Sequence, residues 1–208
     1  LPDFYQPGDY DLAGFCVGVV ERDHIISGKT IRPGDVVLGL ASSGLHSNGY
    51  SLVRKAVFER ARLKVTDFVP ELGRTVGEEL LEPTRIYVRA VKELLSHYPV
   101  KRRVVRGLAH ITGGGLLDNV PRVLPAGCRV FIERGSWPIP PVFTWLQALG
   151  NVDQMEMDRV FNMGIGFVVI CSPYFAESIQ RQLEQLRIKT YAIGEVRAGE
   201  AGVEYVGT

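Results

Sequence analysis

Apolar and polar positions along the chain change period at a few sharp points, and those points outline the elements. Val36, Val37, Leu38 and Leu40 form a short, branched apolar run of strand character. The run breaks into Ser42, Ser43, Gly44, His46, Ser47, Asn48 and Gly49, residues of turn and capping type. Beyond Gly49 the spacing becomes helical. Tyr50, Val53 and Val57 share one face, while Arg54, Lys55, Glu59 and Arg60 point elsewhere. The same order of strand, polar glycine loop and helix recurs in L-A-H-I-T-G-G-G-L-L-D-N-V, Leu108 to Val120. There an apolar strand ends at His110, Thr112 is placed to cap, and Gly113, Gly114 and Gly115 open a helix carrying Leu116, Leu117 and Val120.

The remaining pattern predicts a layered α/β (α+β) domain, a mixed sheet with helices. Asp9–Glu21 alternates along its whole length, with Ala13, Phe15, Val17 and Val19 on one face and a mostly small face opposite, so it reads as one long strand. Nothing before it can supply a neighbour, which marks it as the last strand of a preceding domain. Arg22–Arg32 is a polar linker, and Pro33-Gly34-Asp35 is the turn that launches the next domain. Residues 1–32 are therefore read as a remnant plus linker, and 33–208 as one domain. Ala61–Leu81 reads as loop with a short helix. Pro83–Ser96 reads as an amphipathic helix with Ile86, Ala90 and Leu94 on one side and Pro83 in its first turn. Lys101, Arg102, Arg103 and Arg106 make a basic patch, read as a solvated edge. Cys128–Glu133 is a strand, Val142–Leu149 a helix ended by Gly150, and Glu156, Met157 and Arg159 lie in another. In F-N-M-G-I-G-F-V-V-I, Phe161–Ile170, glycines precede a strand, and Gly164 and Gly166 leave one face bare for a planar ligand or another backbone. Phe175–Leu186 is an amphipathic helix, and Ala192–Val196 and Val203–Val206 are closing strands.

Composition narrows the function more than the fold. With 24 basic and 23 acidic residues the net charge is +1, which gives no basis for a nucleic-acid or acidic-membrane partner. No run approaches the roughly 18 apolar residues of a membrane span, and the start shows no signal peptide. Cys16, Cys128 and Cys171 are odd in number, far apart and in apolar surroundings; they are expected to be buried, reduced thiols of a cytoplasmic protein, without metal-ligand spacing. The chain starts without methionine, consistent with a piece of a longer one.

Two strand–loop–helix units, each with a histidine at the loop, outline a candidate site. Helix-start amides surrounded by small residues suit a phosphate, and a histidine adds a donor beside it. The same residues also suit turn glycines, an N-cap and core-edge histidines satisfied by backbone. Three glycines at one helix start cost about 1 kcal/mol each against alanine, so backbone there must approach a ligand or another backbone closely. Ser42, Ser43 and His46 lie near one another, but no acid or nucleophile elbow supports hydrolase chemistry. His24 and His97 sit in polar contexts with no assigned role.

The stretches D-Y-D-L-A-G-F-C-V-G-V-V, L-A-S-S-G-L-H-S-N-G-Y-S-L-V-R-K, E-P-T-R-I-Y, L-A-H-I-T-G-G-G-L-L-D-N-V-P-R-V-L-P, W-L-Q-A-L-G and F-N-M-G-I-G resemble the C-terminal part of the phosphoribosylformylglycinamidine cyclo-ligase (aminoimidazole ribonucleotide synthetase) family. That resemblance implies ATP-dependent ring closure of formylglycinamidine ribonucleotide to aminoimidazole ribonucleotide, ADP and phosphate in purine synthesis. It also implies a homodimer of two-domain subunits, with ATP and Mg2+ held mostly by an N-terminal half that this chain does not carry; the piece alone is expected to be inactive. His46 and His110 become the candidates for substrate contact or proton transfer. Ser43, Ser47, Asn48, Thr112, Gly113, Gly114 and Gly115, with Asn162 and Gly164, become candidates for phosphate or ribose contact. No metal ligand is assigned. A sister ATP-dependent kinase with the same fold and a non-catalytic interaction module are the alternatives.

Overall fold

The computed structural model describes residues 14–207. A six-stranded mixed sheet runs in the order β4-β6-β1-β7-β5-β8. Its strands are β1 (Val36–Ala41), β4 (Val105–His110), β5 (Cys128–Glu133), β6 (Ile165–Cys171), β7 (Thr190–Ala198) and β8 (Gly202–Val206). All pairings are antiparallel except β5 with β8. A two-stranded ribbon, β2 (Phe68–Val69) and β3 (Arg74–Thr75), stands apart.

Alternation along the strands sorts the core into two faces. Val37, Ala109, Val130, Val168, Ile170 and Ile193 lie on one, covered by Leu116 of α4 (Gly115–Asn119) and by Val120. Leu38, Leu40, Val169 and Cys171 lie on the other, under Ala90 and Leu94 of α3 (Val88–His97) and Ile179 and Leu183 of α7 (Ala176–Gln185). A third cluster sits beneath the loop after β1. It joins Val53 of α1 (Tyr50–Arg54) and Val57 of the π-helical turn that continues it (Lys55–Arg60) to Phe143 and Leu146 of α5 (Pro141–Gly150) and Met157 of α6 (Gln154–Val160). A short helix α2 (Val76–Leu80) is fastened by a capping box, Thr75 and Glu78 exchanging side-chain and backbone bonds.

Four expectations are corrected. The strand expected at Asp9–Glu21 falls partly outside the described residues; from Gly14 to Glu21 the chain is exposed and in no sheet, because no strand stands beside it. The helix expected from Pro83 starts at Val88, and residues 82–87 form neither helix nor strand, with Ile86 79 % exposed. Arg106 is no solvated edge: it is buried and ion-paired to buried Asp35 across the sheet edge. Cys128 and Cys171 are buried, but Cys16 is exposed. A smaller difference is that Asn151, in the left-handed region, rather than Gly150 caps α5.

Candidate functional site

The loop after β1 is held by an unusual backbone and by bonds to two side chains, Thr84 and Asn162, and two backbone groups from elsewhere. His46 adopts φ 58°, a left-handed conformation that costs a non-glycine residue energy and needs surrounding support. The support is explicit. His46 Nε2 accepts from the Ser43 amide at 3.2 Å and the Arg85 amide at 3.4 Å. Asn162 Nδ2 donates to the carbonyls of Gly44 (2.9 Å) and Leu45 (3.2 Å), and Asn162 Oδ1 accepts from the Gly164 amide. The Ser43 hydroxyl donates to the Pro83 carbonyl at 2.6 Å, and the hydroxyls of Ser47 and Thr84 share a bond of 2.9 Å. The segment 82–87 is thus the strap that fixes the loop.

A bulge brings the two histidines onto one face. In the β1–β6 ladder Leu40 pairs with Phe167 and Ala41 with Ile165, so Gly166 is the extra residue. His110 pairs with Phe167, putting its ring on Phe167's side, 6.2 Å between centroids. Tyr87 stands over the bulge: its hydroxyl donates to the Ala41 carbonyl at 2.8 Å. Its ring centroid lies 6.2 Å from that of His46 and 6.3 Å from that of His110. A Cβ at Gly166 would sit 2.2 Å from the Tyr87 hydroxyl and 2.4 Å from His46 Cε1, so the bare strand face is filled by these two rings, not left flat for a planar ligand. At Gly164 the corresponding space is taken by Pro140.

The second glycine loop divides by role. A Cβ on Gly115 (φ 58°) would meet the Asp158 carbonyl oxygen at 2.0 Å, and one on Gly114 (φ 96°) the Asp118 side chain at 2.5 Å. Those two glycines serve close packing and a tight helix start. Gly113 is exposed, and a Cβ added there would come within 3.7 Å of Asn48 Oδ1, so the two loops approach each other there. Thr112 does not cap α4; its hydroxyl donates to Asn119 Oδ1 at 3.1 Å, while Asn119 Nδ2 donates to the carbonyls of Thr112, Gly113 and Gly115.

The candidate residues therefore fall into two groups. Ser43 and Asn162 bond backbone groups, Ser47 and Thr112 bond the side chains of Thr84 and Asn119, and a Cβ at Gly114, Gly115 or Gly164 would meet a neighbour at 2.5 Å or less. Asn48 and Gly113 stand at the open junction, and His110 is exposed at the end of β4, three residues before Gly113 in sequence. His46 is buried, and burial, reinforced by the nearby positive charges of His110 and Arg85, lowers its pKa to about 4. It is neutral near pH 7. Because Nε2 accepts two amide bonds, the proton is assigned to Nδ1, which is buried without a partner. Sequence reasoning passed over Tyr87, Thr84 and Asn119. The signal for the first two was present in E-P-T-R-I-Y, but a helical reading of that segment hid them. Among the described residues no group of three or more His, Cys, Asp or Glu side chains is placed to hold a metal ion, so these residues do not fit Mg2+.

Comparison with known proteins first defines the fold. Thiamine-monophosphate kinase from Stenotrophomonas maltophilia K279a superposes with a TM-score of 0.58 at 15 % identity, over 90 % of this chain and 55 % of that one. T. maritima PurL, solved with AMPPCP, does so at 0.50 and 16 %, over 87 % and 24 %. The chain shares their α/β architecture. Residues 32–207 match the family described as AIR synthase related protein, C-terminal domain, and the chain belongs to that family. The phosphoribosylformylglycinamidine cyclo-ligase of Thermoanaerobacter sp. (strain X514) is 50 % identical over 203 residues, which span 98 % of this chain and 59 % of that protein.

Proposed function

We propose that the chain is the substrate-binding C-terminal part of an enzyme that closes the imidazole ring of formylglycinamidine ribonucleotide in purine biosynthesis. The observation that carries this is the junction at which Asn48 of one loop meets Gly113 of the other, flanked by His110, in a chain half identical to a named cyclo-ligase along nearly its whole length. The AMPPCP complex of the PurL neighbour supports ATP as the co-substrate. ATP supplies the phosphoryl group that turns the formyl oxygen into a leaving group; the amidine nitrogen then attacks the formyl carbon, and phosphate departs.

This chain's own residues have narrower tasks. Asn48 and the bare Gly113 backbone contact the ribonucleotide, with Ser43, Ser47, Thr112 and Asn162 holding the loops that present them. His110, exposed and next to the junction, accepts or returns the proton of ring closure. His46 remains neutral and fixes the loop. Residues 1–32 are a remnant of the preceding domain plus the linker to this one, and that preceding domain provides magnesium and triphosphate contacts. The same reading implies a homodimer in the cytoplasm.

The test is to incubate the full-length protein with ATP and formylglycinamidine ribonucleotide and follow the aminoimidazole product. Ring formation with release of phosphate is expected. A stable phosphorylated product would make the protein a kinase of this fold, and failure to bind the ribonucleotide would make it an interaction module. The 208-residue chain alone is expected to give no product, since phosphoryl transfer depends on metal and triphosphate held in line with the acceptor.

A further inference from the structure

Beside the candidate site lies a concentration of positive charge that none of the roles above uses. At the C-terminal end of β1 a cavity of about 370 Å³ is lined by Ala41, Ser42, Arg85, Arg187 and Lys189, with the stiff Pro138–Pro141 turn as its far wall. A second cavity, of about 510 Å³, adjoins it and shares Arg85 and Arg187, adding Arg89. No carboxylate lines either one. Arg89 is paired with Glu93 at 2.9 Å, whereas Arg85, Arg187 and Lys189 have no ion-pair partner among the described residues. In a chain of net charge +1, three such cations around one concavity are a local feature, not a general basic surface.

The backbone fixes where these charges point from. Arg85 is half-buried on the strap, and its own amide holds His46. Arg187 sits at φ 61°, just past the end of α7, and its amide is tied to the Glu184 carbonyl at 2.8 Å. The Lys189 carbonyl accepts from the Ala41 amide at 2.9 Å, next to Ser42, whose buried hydroxyl has no partner. Two guanidinium groups and an ammonium on short, anchored segments match the charge and the planar hydrogen-bonding geometry of a phosphate monoester.

We propose that Arg85, Arg187 and Lys189 bind the phosphate group of the phosphorylated substrate, the cavity between β1 and the Pro138–Pro141 turn receiving the phosphoryl end while the ring-forming atoms reach the Asn48–Gly113 junction. The inference deepens the proposed function and rests on it for the identity of the ligand. The alternative source of a phosphate is the triphosphate of ATP.

The test uses the full-length protein with R187E, K189A and, as a control on exposed α7, R181E. Calorimetry with ribose 5-phosphate reads the site without turnover, and steady-state kinetics reads the KM of each substrate. A charge-assisted contact corresponds to about a tenfold change in affinity or more. R187E and K189A are each expected to weaken ribose 5-phosphate by at least that factor and to raise the KM for the ribonucleotide alike. The KM for ATP should stay unchanged and kcat should stay within about threefold, with R181E neutral throughout. A rise in the KM for ATP alone would assign the cations to the triphosphate and overturn the proposal. So would unchanged ribose 5-phosphate affinity in R187E and K189A, or an equal loss in R181E. If wild type binds ribose 5-phosphate through these residues but makes no aminoimidazole, the phosphate site stands and the proposed reaction fails.

Discussion

Replacing Gly166 by alanine should damage the site from behind, without touching any residue that faces a ligand. The added methyl carbon would lie 2.2 Å from the Tyr87 hydroxyl, 2.4 Å from His46 Cε1 and 3.1 Å from Tyr87 Cζ. Neither ring can yield freely. Tyr87 is 4 % exposed and bonded to the Ala41 carbonyl; His46 is equally buried and holds two amides. Overpacking of this kind costs about 1–3 kcal/mol. Breaking the Tyr87 hydrogen bond adds about 1 kcal/mol. The sum, roughly 2–4 kcal/mol, corresponds to a fall in Tm of roughly 5–15 °C for a domain of this size. Thermal unfolding of G166A measures it, and NMR titration of His46 supplies the second reading. Displacing the ring from its buried seat should raise its pKa from about 4 toward the ordinary 6.5. An unchanged Tm together with an unchanged His46 titration would refute the account of the bulge.

Three further outcomes follow from the same geometry. Since the folded His46 titrates near 4 and an unfolded histidine near 6.5, the unfolded chain binds the extra proton between those values; stability should drop by about 3 kcal/mol as pH falls through that window, and H46Q should show less of this loss in denaturant titrations. G115A should lose Tm sharply because its Cβ meets the Asp158 carbonyl, whereas G113A should keep its Tm and raise the KM for the ribonucleotide in the full-length protein. In the native 208-residue chain only Cys16 should react rapidly with an alkylating agent, Cys171 being buried with its thiol pushed up to about 12, and mass spectrometry should find all three modified after denaturation.

Much of the sheet was legible because its strands are short apolar runs whose neighbours change period sharply. β1, β4, β5, β6 and β7, the amphipathic α3 and α7, and α5 all follow from spacing alone, to within a few residues. The segment 83–87 was misread because Ile86 continues the four-residue spacing of Ala90 and Leu94 and Pro83 suits a first helical turn, while bonds to Ser43, His46 and Ser47 hold it against the loop. Arg106 looked like part of a basic edge because its partner, Asp35, is 71 residues away in sequence. The two histidine loops were visible as a repeated pattern. Which of their residues hold backbone and which stand at the junction was not, since that depends on a one-residue bulge at Gly166 and on Asn119 and Asn162, whose partners no periodicity reveals.

The central claim, that the junction beside His110 is where the ring closes, is tested most directly by the rate of ATP-dependent aminoimidazole ribonucleotide formation in the full-length protein carrying H110A. H97A, on the exposed end of α3, serves as the control. Loss of a positioned acid–base group is expected to lower kcat by about a hundredfold or more in H110A, with H97A within twofold of wild type. Turnover by H110A equal to that of H97A would contradict the claim.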